Sequence, residues 1–152
     1  MNPQKRILID LKKIKRISPT DQQFIASPND GENLFFWNAT IFGPANTIWE
    51  GAVFNLTIEY PDDYPLHAPL VKFVKIIPFH PNIYSNGKIC LDMLQDNWSP
   101  AYDTYSILAA IHALLDNPNP NSPANNEAAK LYDHNRSEYE LRVKQTVAAT
   151  WE

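Results

Sequence analysis

The chain has 152 residues, of which 44% are hydrophobic and 20% are charged, and its formal net charge at pH 7 is −4. Such a chain is typical of one soluble domain that buries about 70% of its unfolded surface, and we expect that domain to span residues 1–152. The single cysteine excludes an internal disulfide and a cysteine-based zinc site and favours a reducing compartment, and no signal peptide or membrane-spanning run is expected.

The first 16 residues predict an amphipathic helix with a basic outer face. Ile7, Leu11 and Ile14 follow helical spacing. Six basic residues against one acidic residue, Asp10, give this segment a charge of +5 and leave −9 for the rest of the chain. The basic face is either a solvated surface that complements the helix dipole or a surface that binds a partner. Direct nucleic-acid binding is not expected, because no aromatic residues are interleaved with the basic ones.

Three stretches in the next part of the chain predict β-strands. Residues 34–42 are aromatic and β-branched, and in residues 53–60 large apolar side chains alternate with polar ones, as in a half-buried antiparallel strand. Residues 70–74 form a shorter strand after a proline-rich connection. Successive strands with short links favour a meander, and we expect a four-stranded antiparallel sheet.

The only cysteine, Cys90, lies in a loop between residues 79 and 102 that has no sustained helical or strand periodicity. The Asn86-Gly87 pair predicts a tight turn that brings Cys90 near the surface. A free cysteine is often only a small buried hydrophobic residue, but a reachable thiol is a strong nucleophile and suits exchange between thioesters. The side-chain amide of Asn82 is a candidate donor to the oxyanion that forms at an acyl group on sulfur.

The C-terminal third predicts three helices. Asp103 is a candidate N-cap for the first, which carries an apolar stripe and must end before Pro118. A short helix is expected after Pro123. The final helix is indicated by four residues at i+4 spacing, Tyr139, Val143, Val147 and Trp151. The chain therefore predicts an α+β fold, with an N-terminal helix, a four-stranded antiparallel sheet, the loop around Cys90 and then helices.

Several motifs of this chain occur together in one known family. They are His80-Pro81-Asn82, Cys90-Leu91-Asp92, Trp98-Ser99-Pro100 and Pro118-Asn119-Pro120. With them the chain resembles ubiquitin-conjugating enzymes over essentially its whole length, and the α+β fold above is also what this resemblance implies. Three longer stretches, residues 41–44, 98–103 and 119–125, are similar to the subgroup that acts in post-replication DNA repair and histone monoubiquitination.

The resemblance implies roles for the residues around Cys90. Cys90 would accept the carboxyl terminus of ubiquitin from the ubiquitin-activating enzyme as a thioester and then pass it to a lysine amine of a protein substrate. Asn82 would steady the oxyanion or hold the loop, and His80 would brace the loop backbone rather than act as a general base. Asp92 would orient the loop or lie near the incoming lysine. No bound cofactor or metal is expected, because ATP is consumed upstream by the activating enzyme.

The resemblance also implies two docking regions for protein partners. The N-terminal helix would contact the activating enzyme and some ligases through Lys5, Arg6 and Lys12. A RING-type ubiquitin ligase would dock on two loops that carry Leu66, Ser99, Pro100 and Ala101. Ordinary loop packing is the alternative explanation for these loop residues. The subgroup would act in the nucleus and cytoplasm, without a membrane.

One departure from the family pattern bears on the mechanism. Many members carry an acidic residue just after the Pro-Asn-Pro turn, where it helps the acceptor lysine lose its proton. This chain has Asn121 and Ser122 there, and the subgroup also has a serine at the position of Ser122. Both residues are expected to support the site. Because neither is acidic, transfer to lysine without a ligase is expected to be slow. Ser122-Pro123 also has the form of a proline-directed phosphorylation site, and the alternative is that Ser122 caps the following helix.

Two other functions are compatible with some or all of these motifs. A carrier of a different ubiquitin-like modifier would retain every residue named above, because modifier choice depends on pairing with an activating enzyme. A noncatalytic binding module of the same fold would lack the cysteine, so the presence of Cys90 argues against it.

Overall fold

A computed structural model describes residues 2–16, 23–29 and 33–152. Within these residues the helices are α1 (Pro3–Lys15), α2 (Thr104–Asp116), α3 (Asn126–His134) and α4 (Arg136–Ala149). The strands are β1 (Phe24–Asn29), β2 (Asn33–Phe42), β3 (Val53–Glu59) and β4 (Leu70–Val74). The predicted α+β fold, with an N-terminal helix before the sheet, is confirmed. No helix in the described ranges is long and apolar enough to cross a membrane.

The four strands form an antiparallel meander in the order β1-β2-β3-β4. The alternation predicted for β3 is confirmed, since Phe54, Leu56 and Ile58 are buried and the residues between them are not. The sequence did not locate β1, because Pro28 and Asn29 are poor strand residues. Pro28 is accommodated on this edge strand, where the register shifts and its missing N–H breaks no interior ladder.

The hydrophobic core lies between the buried face of the sheet and the helices. Helix α1 packs against α2 and the β1–β2 side of the sheet, and α3 packs against α4. The apolar stripe of α2 is buried as predicted, through Ile107, Leu108, Ile111 and Leu115. This packing fixes α2 at the back of the loop that carries Cys90.

At the ends of the C-terminal helices, the cap predicted at Asp103 is confirmed, whereas Ser122 and Trp151 lie differently from what the sequence indicated. Asp103 caps α2 in a reciprocal arrangement with Ser106. Burial alone would raise the pKa of Asp103, but hydrogen bonds from Lys13 and Ser106 outweigh it and hold that pKa below its ordinary value. Helix α3 is capped by Asn125, so the alternative role of Ser122, as the cap of this helix, is wrong. Trp151 lies beyond the end of α4 and is exposed, because the backbone N–H of Thr150 already closes the helix on Val147.

Candidate active site

Cys90 leaves a tight turn that the structure places as the sequence predicted. Residues Ile83 and Ile89 pair across the turn, and the N–H of Cys90 donates to the carbonyl of Asn82 at 2.8 Å. Gly87 has a φ of 90°, and a Cβ there would lie 2.0 Å from the Phe73 carbonyl oxygen, so only glycine fits. The thiol is partly exposed and lies 3.7 Å from the carbonyl oxygen of Ser122, to which it donates. A large acyl donor can therefore reach the sulfur from solvent.

His80 is fully buried behind this turn. Its Nδ1 accepts the N–H of Asn82 at 2.9 Å, so the ring proton is on Nε2, which donates to the carbonyl of Leu114 at 2.7 Å. Burial lowers the pKa of His80 to about 4, although hydrogen bonds to the α2 backbone oppose the shift. An imidazole that is neutral at physiological pH and bonded at both nitrogens ties the loop to the end of α2. This geometry supports bracing rather than general-base catalysis.

Asn82 is 1% exposed, and its side chain clamps the segment that faces Cys90. Its Nδ2 donates to the carbonyls of Asn119 at 2.8 Å and Ser122 at 3.2 Å, and its Oδ1 accepts the N–H of Asn119 at 2.7 Å. Both amide protons are already donated, so an oxyanion would have to replace one of these carbonyls. Of the two roles expected for Asn82, this arrangement supports holding the loop.

The segment after the Pro-Asn-Pro turn forms one wall of the site. The carbonyl of Ser122 accepts hydrogen bonds from both Asn82 and the Cys90 thiol, while the side chains of Asn121 and Ser122 are exposed. Asp92 is also exposed and begins the 3₁₀ turn Asp92–Leu94, two residues beyond Cys90. No group of three His, Cys, Asp or Glu side chains in the described residues is arranged to hold a metal ion. The reactive group of this site is the Cys90 thiol, which lies between its own loop and the segment after the Pro-Asn-Pro turn.

The two loops expected to bind a ligase lie side by side. The indole N–H of Trp98 donates to the carbonyl of Pro65 at 2.9 Å, which joins the two loops beneath their surface. Leu66 is 66% exposed, and Pro100 and Ala101 are also exposed. Ser99 is half-buried, and its hydroxyl accepts the N–H of Ala101, so it shapes the loop. The structure therefore brings all four predicted residues to one surface.

The basic face of α1 is smaller than the sequence predicted. Lys5 and Lys12 are exposed, but the side chain of Arg6 is only 14% exposed and forms an ion pair with the buried Asp10 at 2.9 Å. The prediction that Arg6 lies on the outer face of the helix is wrong, because this carboxylate draws its guanidinium inward. The sequence held a signal for this contact, since Asp10 follows Ile7 by three residues and precedes Ile14 by four, within the apolar stripe of the helix.

Leu8 and Ile9 are functional-surface candidates that the sequence analysis missed. They are about half-exposed, at 52% and 48%, on the outer side of α1 beside Lys5, Lys12 and Lys15. Their positions lie outside the stripe that packs on the core, so the helical period itself would have indicated them.

Comparison of the sequence with known proteins identifies the family to which this chain belongs. A family profile described as "Ubiquitin-conjugating enzyme" matches residues 6–147. The "Ubiquitin-conjugating enzyme E2 2" of Mycosarcoma maydis is 49% identical over 149 residues, which cover 98% of this chain and 79% of that protein. The "Ubiquitin-conjugating enzyme E2 1" of Caenorhabditis elegans is 46% identical over 148 residues, 97% of this chain and 75% of that protein. The chain, with a reachable thiol at Cys90, therefore belongs to the ubiquitin-conjugating enzyme family.

Proposed function

We propose that this ubiquitin-conjugating enzyme uses Cys90 to carry ubiquitin and, with a RING-type ligase, modifies lysines of chromatin or DNA-repair proteins. The observation that carries the proposal is the wall facing Cys90, where Asn82 holds residues 119–122 beside the sulfur and position 122 carries no carboxylate. That segment is part of residues 119–125, one of the three stretches that resemble the repair and histone-modifying subgroup. We also propose a nuclear and cytoplasmic location on the strength of this resemblance.

The proposed reaction has two acyl transfers on one sulfur. The Cys90 thiolate attacks the carbonyl of ubiquitin held as a thioester on the activating enzyme, and the thiolate of that enzyme leaves. A substrate lysine amine then attacks the Cys90 thioester, the Cys90 thiolate leaves, and the amine proton passes to solvent. ATP is spent before the first step, in forming the thioester on the activating enzyme. Without a carboxylate at position 122 to assist it, this loss of the amine proton to solvent is expected to be slow unless a ligase is bound.

The subgroup role is tested with nucleosomes as substrate. We would combine the enzyme with ATP, ubiquitin, an activating enzyme and a histone-directed RING-type ligase, and measure histone that carries one ubiquitin. Free lysine replaces nucleosomes in a parallel reaction. We expect slow discharge to free lysine and ligase-dependent histone modification. Discharge to free lysine without any histone product would contradict the chromatin role and leave the conjugating activity intact.

The alternative is that the chain carries another ubiquitin-like modifier. Nothing in the geometry around Cys90 selects the modifier, so the same charging reaction is run with each modifier and its own activating enzyme. Charging with ubiquitin at least as fast as with any other modifier supports the proposal.

Ser122→Asp is expected to speed discharge of the thioester to free lysine, by at most about 10²-fold. Residue 122 is exposed and its carbonyl oxygen lies 3.7 Å from the sulfur, so we expect a carboxylate on its side chain to attract the lysine and assist loss of its proton. A phosphate on Ser122 would add about −1.5 to −2 charge at the same place. The measurement is single-turnover discharge at several lysine concentrations.

Ser122→Ala is the matched control for this prediction. We expect it to discharge and to unfold like the wild type, because Asn125 and not Ser122 caps α3. If Ser122→Asp discharges no faster than the wild type, an activating switch at this position is wrong.

A further inference from the structure

A buried carboxylate on α1 collects hydrogen bonds from three separate parts of the chain. Asp10 is 2% exposed. Its Oδ1 accepts from Nε of Arg6 at 2.9 Å, and its Oδ2 accepts from the Tyr64 hydroxyl at 2.6 Å. The same Oδ2 also accepts from the N–H and hydroxyl of Thr104, at 3.0 and 2.9 Å. A charge buried this deeply is tolerated only because it is paired and fully hydrogen-bonded.

Arg6 extends this cluster to the loop of Pro100. Its guanidinium donates to the carbonyl of Pro100 at 2.9 Å and to the carbonyl of Tyr102. Burial would lower the pKa of Arg6, but Asp10 outweighs burial and raises it, so the guanidinium stays charged. The hydroxyl of Tyr60 joins Thr104 at 2.6 Å. We call the set Arg6, Asp10, Tyr60, Tyr64 and Thr104 the Asp10 network.

The Asp10 network lies beneath the surface expected to bind a ligase. It joins α1, which carries Lys5 and Lys12, to the loop of Leu66 and to the loop of Pro100 and Ala101. The exposed side chains of that surface extend into solvent, so their spacing depends on the segments beneath them. Apolar residues of similar volume often stabilise a fold as well as a buried ion pair does. The directional hydrogen bonds of a charged network add a fixed geometry that apolar packing does not supply.

We propose that Asp10 is a positioning residue for ligase docking, which sets the spacing of α1, the Leu66 loop and the Pro100 loop through Arg6, Tyr64 and Thr104. This inference rests on the proposed use of that surface by a RING-type ligase. Among the described residues, none of the network's hydrogen bonds reaches Cys90, Asn82 or Ser122. The network should therefore affect the response to a ligase and leave the chemistry at the sulfur unchanged.

Asp10→Asn tests the proposal, because it is nearly isosteric but removes the charge that holds Arg6. The thioester is formed first, and its discharge to free lysine is then measured with and without the RING-type ligase of the nucleosome assay. We expect the ligase concentration for half-maximal stimulation to rise about 10-fold. The rate of discharge without the ligase should stay within about 2-fold of the wild-type rate. The Asp10 network and the site around Cys90 share no hydrogen-bond partner, and changes at such independent sites have little effect on each other.

Two further variants complete the experiment: Arg6→Gln changes a second member of the Asp10 network, and Val143→Ala is a control outside it. Arg6→Gln removes the charge partner of Asp10 and should reproduce the defect, and the double variant should be no worse than the stronger single one. Val143 is fully buried in α4, which packs against α3, so Val143→Ala controls for lost stability. Exchange of the backbone amide hydrogens of Tyr64, Leu66, Ala101 and Tyr102 should quicken in the network variants only.

The outcomes separate this inference from the proposed function. If the ligase stimulates the wild type but both network variants respond as Val143→Ala does, Asp10 is not a positioning residue. If the wild type itself is not stimulated, the proposed ligase-dependent function is wrong and the inference loses its basis.

Discussion

Cys90→Ala is expected to abolish the ubiquitin adduct that the wild type forms with ATP, ubiquitin and the activating enzyme. Cys90 is the only cysteine of the chain, so no other thiol can form a thioester. Its sulfur is also the partly exposed group at the centre of the site, beside the carbonyl of Ser122. The adduct is measured on non-reducing gels and should disappear when a thiol reductant is added, as thioesters do.

Cys90→Ser is the informative companion to that variant. A serine hydroxyl is a poorer nucleophile, and an adduct on it would be an oxygen ester. We therefore expect slow formation of an adduct that survives the reductant. A reductant-sensitive adduct on Cys90→Ala would show that ubiquitin is carried elsewhere and would overturn the assignment of Cys90.

Asn82→Ala is expected to slow discharge to lysine by about 10²-fold, the cost of a misplaced site wall, and to lower the free energy of unfolding by about 1–3 kcal/mol. The substitution leaves the N–H of Asn119 and the carbonyls of Asn119 and Ser122 without their partner. The wall beside Cys90 then loses its fixed position, which matters for every acceptor that must approach the sulfur. Rates are measured from preformed thioester, and stability from denaturant unfolding.

The two roles of Asn82 are distinguished by the acceptor. Free cysteine and free lysine attack the same thioester, and the Cys90 thiolate leaves in both reactions. The thiolate of free cysteine is the stronger nucleophile, so its attack depends less on oxyanion stabilisation than attack by an amine does. A loop-holding Asn82 predicts equal slowing with both acceptors, and this is the result we expect from the geometry. Much greater slowing with lysine would instead assign an oxyanion donor.

Asn82→Asp is the closest control in shape. It keeps an oxygen for the N–H of Asn119 but replaces both donated protons with a negative charge facing two carbonyls. We expect it to be at least as damaging as Asn82→Ala. Activity close to the wild type in Asn82→Asp would mean that the donated hydrogen bonds matter little.

Local patterns explain what could be predicted from the sequence. The apolar stripe of α2, its cap at Asp103, the alternation of β3 and the turn at Asn86-Gly87 each depend on residues within a few positions of one another. Such features follow from backbone geometry and neighbouring side chains, whatever the rest of the chain does. The position of Cys90 after a tight turn belongs to this class. The strand β1 does not, because its sheet partners and not its own residues make it a strand.

Contacts between distant segments were decided only by the tertiary structure. Asp10 meets residues 54 and 94 positions further along the chain, and this burial turns Arg6 from an expected outer contact into an inner one. Asn82 likewise finds its partners 37 and 40 positions away, in the segment that faces Cys90. The sequence by itself determined the residue types, most of the local elements and the candidate nucleophile. The packing of α1 and α2 on the sheet decided which polar groups lost water and therefore had to pair with one another.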